Sequence, residues 1–254
     1  MFGGTLGETM DMQRDRYPQK QLPWILTTLA EQILQLNGTK TEGIFRVPAD
    51  HDEVNNVKRY LIIRNRYHAL FFWIINKQAV SISNNNKLFF IYSRFDQWEP
   101  VLCVDCHTAA SLLKLWLREL YEPLIPDSFY DEAIQLGSLI DQHEHQKAKK
   151  KEEKEARNNA FSPREKLEKL ISRLPELNQL TLMYLAKYLQ LFSRPEVTLV
   201  TKMDASNLAT VFAPNCLKCP SQDPIVILEN TRKEMAFVKS LIVNLDTSSV
   251  DGLI

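Results

Sequence analysis

The sequence predicts an all-α bundle of long helices, and three observations carry that expectation. Apolar residues recur at helical spacing in segment after segment. No alternating strand pattern is convincing outside one irregular stretch. Only 7 glycines occur in 254 residues, too few for a turn-rich β fold or a glycine-rich phosphate loop. At 44% hydrophobic, the chain can bury a substantial core as one large domain or two small ones. Lys+Arg and Asp+Glu are both 31, so the formal net charge is zero and wholesale binding to nucleic acid is not indicated. The 4 cysteines are few, and no secretory signal opens the chain; both fit a reducing cytoplasm. The longest apolar run, Ala69 to Ile75, is too short to cross a bilayer, so no integral membrane segment is expected.

Taken in order, residues 1–19 read as a polar, irregular segment. Pro23 suits a first helical position, and Trp24 to Leu36 repeats apolar residues at helical intervals, with Gly38 as the expected C-terminal cap. After a loop from Thr39 to Pro48, Asp50 caps a helix to about Leu61, with Glu53 placed as in a capping box. Residues 59–94 break the pattern, with Phe71-Phe72-Trp73, Asn84-Asn85-Asn86 and Phe89-Phe90, and read as an insertion: a genuine extension or a gene-model error such as translated intron.

Ala109 to Tyr121 is strongly amphipathic, and Pro123 and Pro126 then interrupt the chain. Ser128 to Ile140 reads as a helix. The highly charged stretch 142–160 reads as a second insertion, a solvated helix or flexible insert. Pro163 to Arg173 is a further helix. Pro175 to Phe192 is apolar on almost every side and belongs in the middle of a bundle. Asp204 caps a helix to about Phe212, ended by Pro214, and the last helix runs from about Glu229 to Leu245, followed by a tail, 247–254.

Three blocks stand on these elements: Gly43-Ile44-Phe45-Arg46 with Val47-Pro48; Leu113-Lys114 through Arg118-Glu119-Leu120 and Glu122-Pro123-Leu124; and Lys202-Met203, Asn207-Leu208-Ala209 and Phe212-Ala213-Pro214-Asn215. In this order they resemble the conserved blocks of RhoGAP domains, over about residues 20–246 without the two insertions. The resemblance implies a RhoGAP-type helical bundle with a projecting finger loop. It implies a domain that accelerates GTP hydrolysis by a Rho- or Rac-family small GTPase in its GTP-bound state. The chain would have no reaction or cofactor of its own, since GTP and Mg²⁺ belong to the partner.

Within the family, Met12 to Pro18, Phe95 to Trp98 and Glu229 to Met235 look like the Vilse (CrossGAP) type.

The resemblance makes Arg46 the catalytic arginine finger. Arginine suits that task because its planar fork is always charged. Gly43 permits a turn, and Ile44 and Phe45 can anchor it. Lys114 and Arg118, four residues apart, share a helix face; in the family these positions hold the finger loop and contact the GTPase. Asn207 matches a family asparagine at the GTPase, its rival reading being a helix-start cap. Asn215 reads as structural. Ala49 stands where glycine is common, and Thr201 where some relatives have asparagine. The long gap between Arg46 and Lys114 motivates an alternative, a RhoGAP-like module that binds a GTPase or other signalling partner without activating it.

Cys103 with Cys106 and Cys216 with Cys219 have spacing that a four-thiolate zinc site would use. Free thiols are the simpler account, and no metal site is expected.

Overall fold

A computed structural model describes residues 1–62, 103, 105–150 and 162–253. Among them the protein is all-helical. The helices are α1 (Leu6–Gln13), α2 (Trp24–Gln35), α3 (51–62), α4 (Cys106–Arg118), α5 (Asp127–Lys150), α6 (Pro163–Ile171), α7 (Glu176–Phe192), α8 (Pro195–Thr201), α9 (Ala205–Cys216) and α10 (Pro224–Asn244), with two 3₁₀ turns, Gly38–Lys40 and Ser248–Leu253. Most of the first expected insertion lies outside the described residues.

The core joins buried faces of α2, α4, α5, α7, α9 and α10. α5 packs along α10, α9 joins α10 to α4, and α4 packs on α2. Helix α4 buries Leu112, Leu113, Trp116 and Leu117, leaving Lys114 half-buried and Arg118 exposed, as its amphipathic pattern predicts. From Leu177 to Phe192 no residue of α7 is exposed, which matches its all-round apolar sequence.

Several expectations need correction. The segment 1–19 contains α1. Thr5 and Glu8 form its capping box, and Leu6 is buried. Gln13 then donates to the Leu22 carbonyl at 2.9 Å and accepts from the Trp24 amide at 2.8 Å, tying α1 to the start of α2. The left-handed residue after α2 is Asn37 (φ 61°), not Gly38. Helix α4 begins at Cys106, because Asp105 accepts from the Thr108 amide at 2.8 Å.

The charged stretch 142–160, expected as a solvated helix or flexible insert, is helical as far as it is described, continuing α5 to Lys150, and residues 151–160 lie outside the described residues. Arg232 meets Asp141 at 3.1 Å and Lys239 meets Glu144 at 2.7 Å, so α10 anchors that extension. Helix α8 lies where no helix is expected. Pro214 falls inside α9 rather than ending it, in the last turn, where the exposed Thr210 carries the carbonyl left without a helical donor. Helix α10 starts at Pro224 because Asp223 accepts from the Ile225 amide at 2.9 Å.

Candidate functional site

The loop after α2 is a tight, anchored turn. Gly43 has φ 69°, a conformation natural to glycine, and so does Phe45, for which it is unusual. The Arg46 amide donates to the Gly43 carbonyl at 2.9 Å and the Val47 amide to the same oxygen at 2.8 Å. Ile44 and Phe45 are fully buried. The Phe45 ring meets Phe192 and Phe212 edge-on, with centroids 4.9 and 5.2 Å away, and Tyr188 at 6.3 Å. The Lys114 ammonium donates to the Phe45 carbonyl. With Ile44 and Phe45 before it pinned inward, Arg46 is exposed, as is Val47 after it.

Arg46 opens on a cleft of about 680 Å³ between this loop, α3, α4 and α9. Lys58, Lys114, Arg118, Glu119 and Asn215 also line it. Lys58 and Glu119 form an ion pair at 2.6 Å across the α3–α4 rim. Among the described residues neither Arg46 nor Arg118 has a carboxylate partner. Burial lowers the Lys114 pKa, and the charge of Arg118 lowers it further. The arrangement therefore offers an exposed guanidinium beside clustered cations, with a single carboxylate opposing them. Such a site suits an anionic surface on another molecule.

The structure thus brings together Arg46, Lys114 and Arg118. It does not bring Asn207 into the cleft lining. The Asn207 amide side chain instead donates to the Lys202 carbonyl at 3.0 Å, and its backbone N–H donates to Asp204 at 2.7 Å. Asn215, which reads from sequence as structural, lines the cleft while donating to the Val211 carbonyl at 2.6 Å. The Phe212 to Asn215 motif carries the signal, and Asn215 lies within α9 because the helix continues past Pro214.

The cysteine pairs do not form a common cluster: among the described residues no three His, Cys, Asp or Glu side chains gather as metal ligands. Burial pushes the Cys103 and Cys216 thiols up to about 12. Cys106 donates to the Thr41 hydroxyl at 3.4 Å. Among the described residues no helix is long and apolar enough to cross a membrane.

Comparison with known proteins gives one consistent family. The sequence model of the RhoGAP domain matches residues 23–221. The chain is 32% identical over 241 residues to GTPase activating protein homolog 2 of Dictyostelium discoideum, covering 95% of this chain and 21% of that protein. It is 29% identical over 231 residues to human Rho GTPase-activating protein 24, covering 91% and 24%. The chain therefore spans only about a fifth to a quarter of these relatives. Its fold is similar to human Rho GTPase activating protein 15, with TM-score 0.62 and 18% identity over 95% of this chain and 88% of that one. It is also similar to the BH domain from GRAF, the GTPase regulator associated with focal adhesion kinase, with TM-score 0.53 and 19% identity over 87% and 90%.

Proposed function

The chain belongs to the RhoGAP domain family, and on that premise we propose that it accelerates GTP hydrolysis by a GTP-bound Rho- or Rac-family GTPase in the cytoplasm. Arg46 acts as the finger, supplied in trans. Lys114 secures the loop through the Phe45 carbonyl, and Arg118 meets acidic groups on the GTPase. Asn215 is added to the contact set because it shares the cleft wall with these cations. The nucleotide and Mg²⁺ come with the partner, so this chain supplies position and charge. Within the family, the runs at Met12 to Pro18 and Glu229 to Met235 favour the Vilse type.

The observation that carries the reading is an exposed arginine that follows two fully buried residues, Ile44 and Phe45, and opens on a cationic cleft. In the transition state of phosphoryl transfer, charge builds on the phosphate oxygens. An arginine finger stabilises that charge and accelerates the reaction by about 10³ to 10⁵. This corresponds to roughly 4 to 7 kcal/mol. The group must arrive pre-positioned, because each degree of freedom frozen at the moment of reaction subtracts from the gain.

Single-turnover hydrolysis with purified Rac-type, Rho-type and Ras-type proteins tests the proposal. Acceleration of a Rho-family member is expected, and Arg46→Ala should lose most of it, on the order of 10³-fold, while much of the binding remains. No acceleration by the intact chain on any of these proteins would refute it. Measurable affinity without acceleration would select the alternative, a module that binds but does not activate.

A further inference from the structure

The finger loop is tied to a second loop, and Asn207, in the first turn of α9, sits beside that second loop rather than among the residues lining the cleft. The Gly43 amide donates to the Thr201 carbonyl at 2.7 Å, joining the base of the finger to the end of α8. Thr201 is completely buried and is fixed on both sides. Its hydroxyl donates to the Val197 carbonyl at 3.0 Å and accepts from the Met203 amide at 3.2 Å. Between these two residues the chain reverses through Lys202, whose φ of 58° is left-handed without a glycine. The Lys202 carbonyl is the group that the Asn207 amide side chain engages at 3.0 Å. Asp204 caps α9 through the Asn207 backbone, which places that side chain beside the turn.

We infer that Asn207 is a positioning residue: it braces the left-handed turn at Lys202 so that the Thr201 carbonyl stays aimed at the Gly43 amide, and thereby fixes where Arg46 projects. This rests on the finger role proposed for Arg46, and it holds for the free chain whether or not Asn207 also touches a GTPase. The physical logic is that a side-chain amide donor supports a backbone geometry that a β-carbon disfavours. Lys202 is exposed, so its carbonyl would be solvated if the amide were removed. The loss should therefore loosen the turn without unfolding the domain.

The test compares the wild-type chain with Asn207→Asp, which keeps the shape but cannot donate when ionised. Asn207→Ala, which adds no charge beside Asp204, is run alongside. Hydrogen exchange at the Gly43 amide, read by NMR on the chain alone, should accelerate about tenfold in both variants, the scale of one lost hydrogen bond. Amides in α10 should keep their wild-type protection. With a responsive GTPase, the saturated hydrolysis rate should fall while the half-saturating concentration stays near wild type. Adding Lys202→Gly to Asn207→Ala should restore Gly43 protection, because glycine adopts the left-handed turn unaided. Unchanged Gly43 exchange in both single variants would overturn the inference, as would a loss confined to affinity. If the wild-type chain activates no GTPase, the functional reading fails separately, and Gly43 exchange still decides whether the brace exists.

Discussion

Phe45 combines a left-handed backbone with complete burial. A bulky residue held there costs on the order of 1 to 3 kcal/mol. Its edge-on contacts with Phe192 and Phe212 return roughly 0.5 to 1.5 kcal/mol each beyond the hydrophobic gain of burial. The next residue, Arg46, is exposed. The motif made Arg46, Ile44 and Phe45 legible in the sequence, but not that Phe45 shares the positive φ of Gly43, because only packing makes that tolerable. Lys114 completes the cage by donating to the Phe45 carbonyl. Burial lowers its pKa below the ordinary 10.5, so within that alkaline window the unfolded chain binds more protons than the folded one. The contribution of Lys114 to stability therefore rises with pH through the window, and below it the buried charge is a standing cost. Urea unfolding of wild type and Lys114→Met, repeated up to pH 10.5, should show the difference moving in favour of wild type as pH increases. A pH-independent difference would show that burial of the ammonium is not felt in the folded state.

The longest helices, α5 and α10, meet at a point where no side chain fits. A β-carbon on Gly137 would fall inside contact distance of the Lys233 carbonyl and 3.3 Å from the Phe237 β-carbon. Gly137→Ala should destabilise the fold by about 1 to 3 kcal/mol, as overpacking of a close crossing does. It should leave the distant finger loop intact, so denaturant unfolding should shift while the proposed stimulation of a GTPase by the surviving folded protein is retained. A variant as stable as wild type would mean the helices can separate freely at this crossing. Crossings of this kind are not written in periodicity, which explains why some elements were legible and others not. Helices α4 and α7 announced themselves through long apolar faces. Helix α1 carried a capping-box pattern at Thr5 and Glu8, but its short polar sequence left only Leu6, Thr9 and Gln13 to bury. Helix α8 is short and follows Ser193-Arg194 without a side-chain cap. The first turn of α10 bears Ile225 to Leu228, four apolar residues in succession that show no period and are left largely exposed. Asn207 was legible as an important position, but its partner Lys202 belongs to a turn whose left-handed geometry appears only in three dimensions.

Across the whole molecule the formal charge is zero, yet its distribution is uneven. Arg46, Lys58, Lys114 and Arg118 line one cleft with Glu119 as the one acidic residue in its lining. Net charge therefore says nothing about how this face would meet a partner, whereas local field does: a cleft lined by one sign attracts the opposite sign over roughly the screening distance, about 10 Å at 0.1 M salt. If acidic groups on a GTPase are drawn to this cleft, association should slow steeply as salt is added, although the chain as a whole is neutral. Arg118 is exposed and has no carboxylate partner among the described residues, so it contributes to that field without a part in the core. Arg118→Glu should slow association by roughly tenfold at low salt, within the range that steering supplies, and flatten its dependence on ionic strength. The thermal midpoint should stay near wild type, since the residue supports no buried contact. Stopped-flow association with a GTP-loaded Rho-family protein across a salt series measures both effects. A wild-type rate constant indifferent to salt would mean that shape alone governs the encounter and that the cationic cleft plays no part in drawing the partner in.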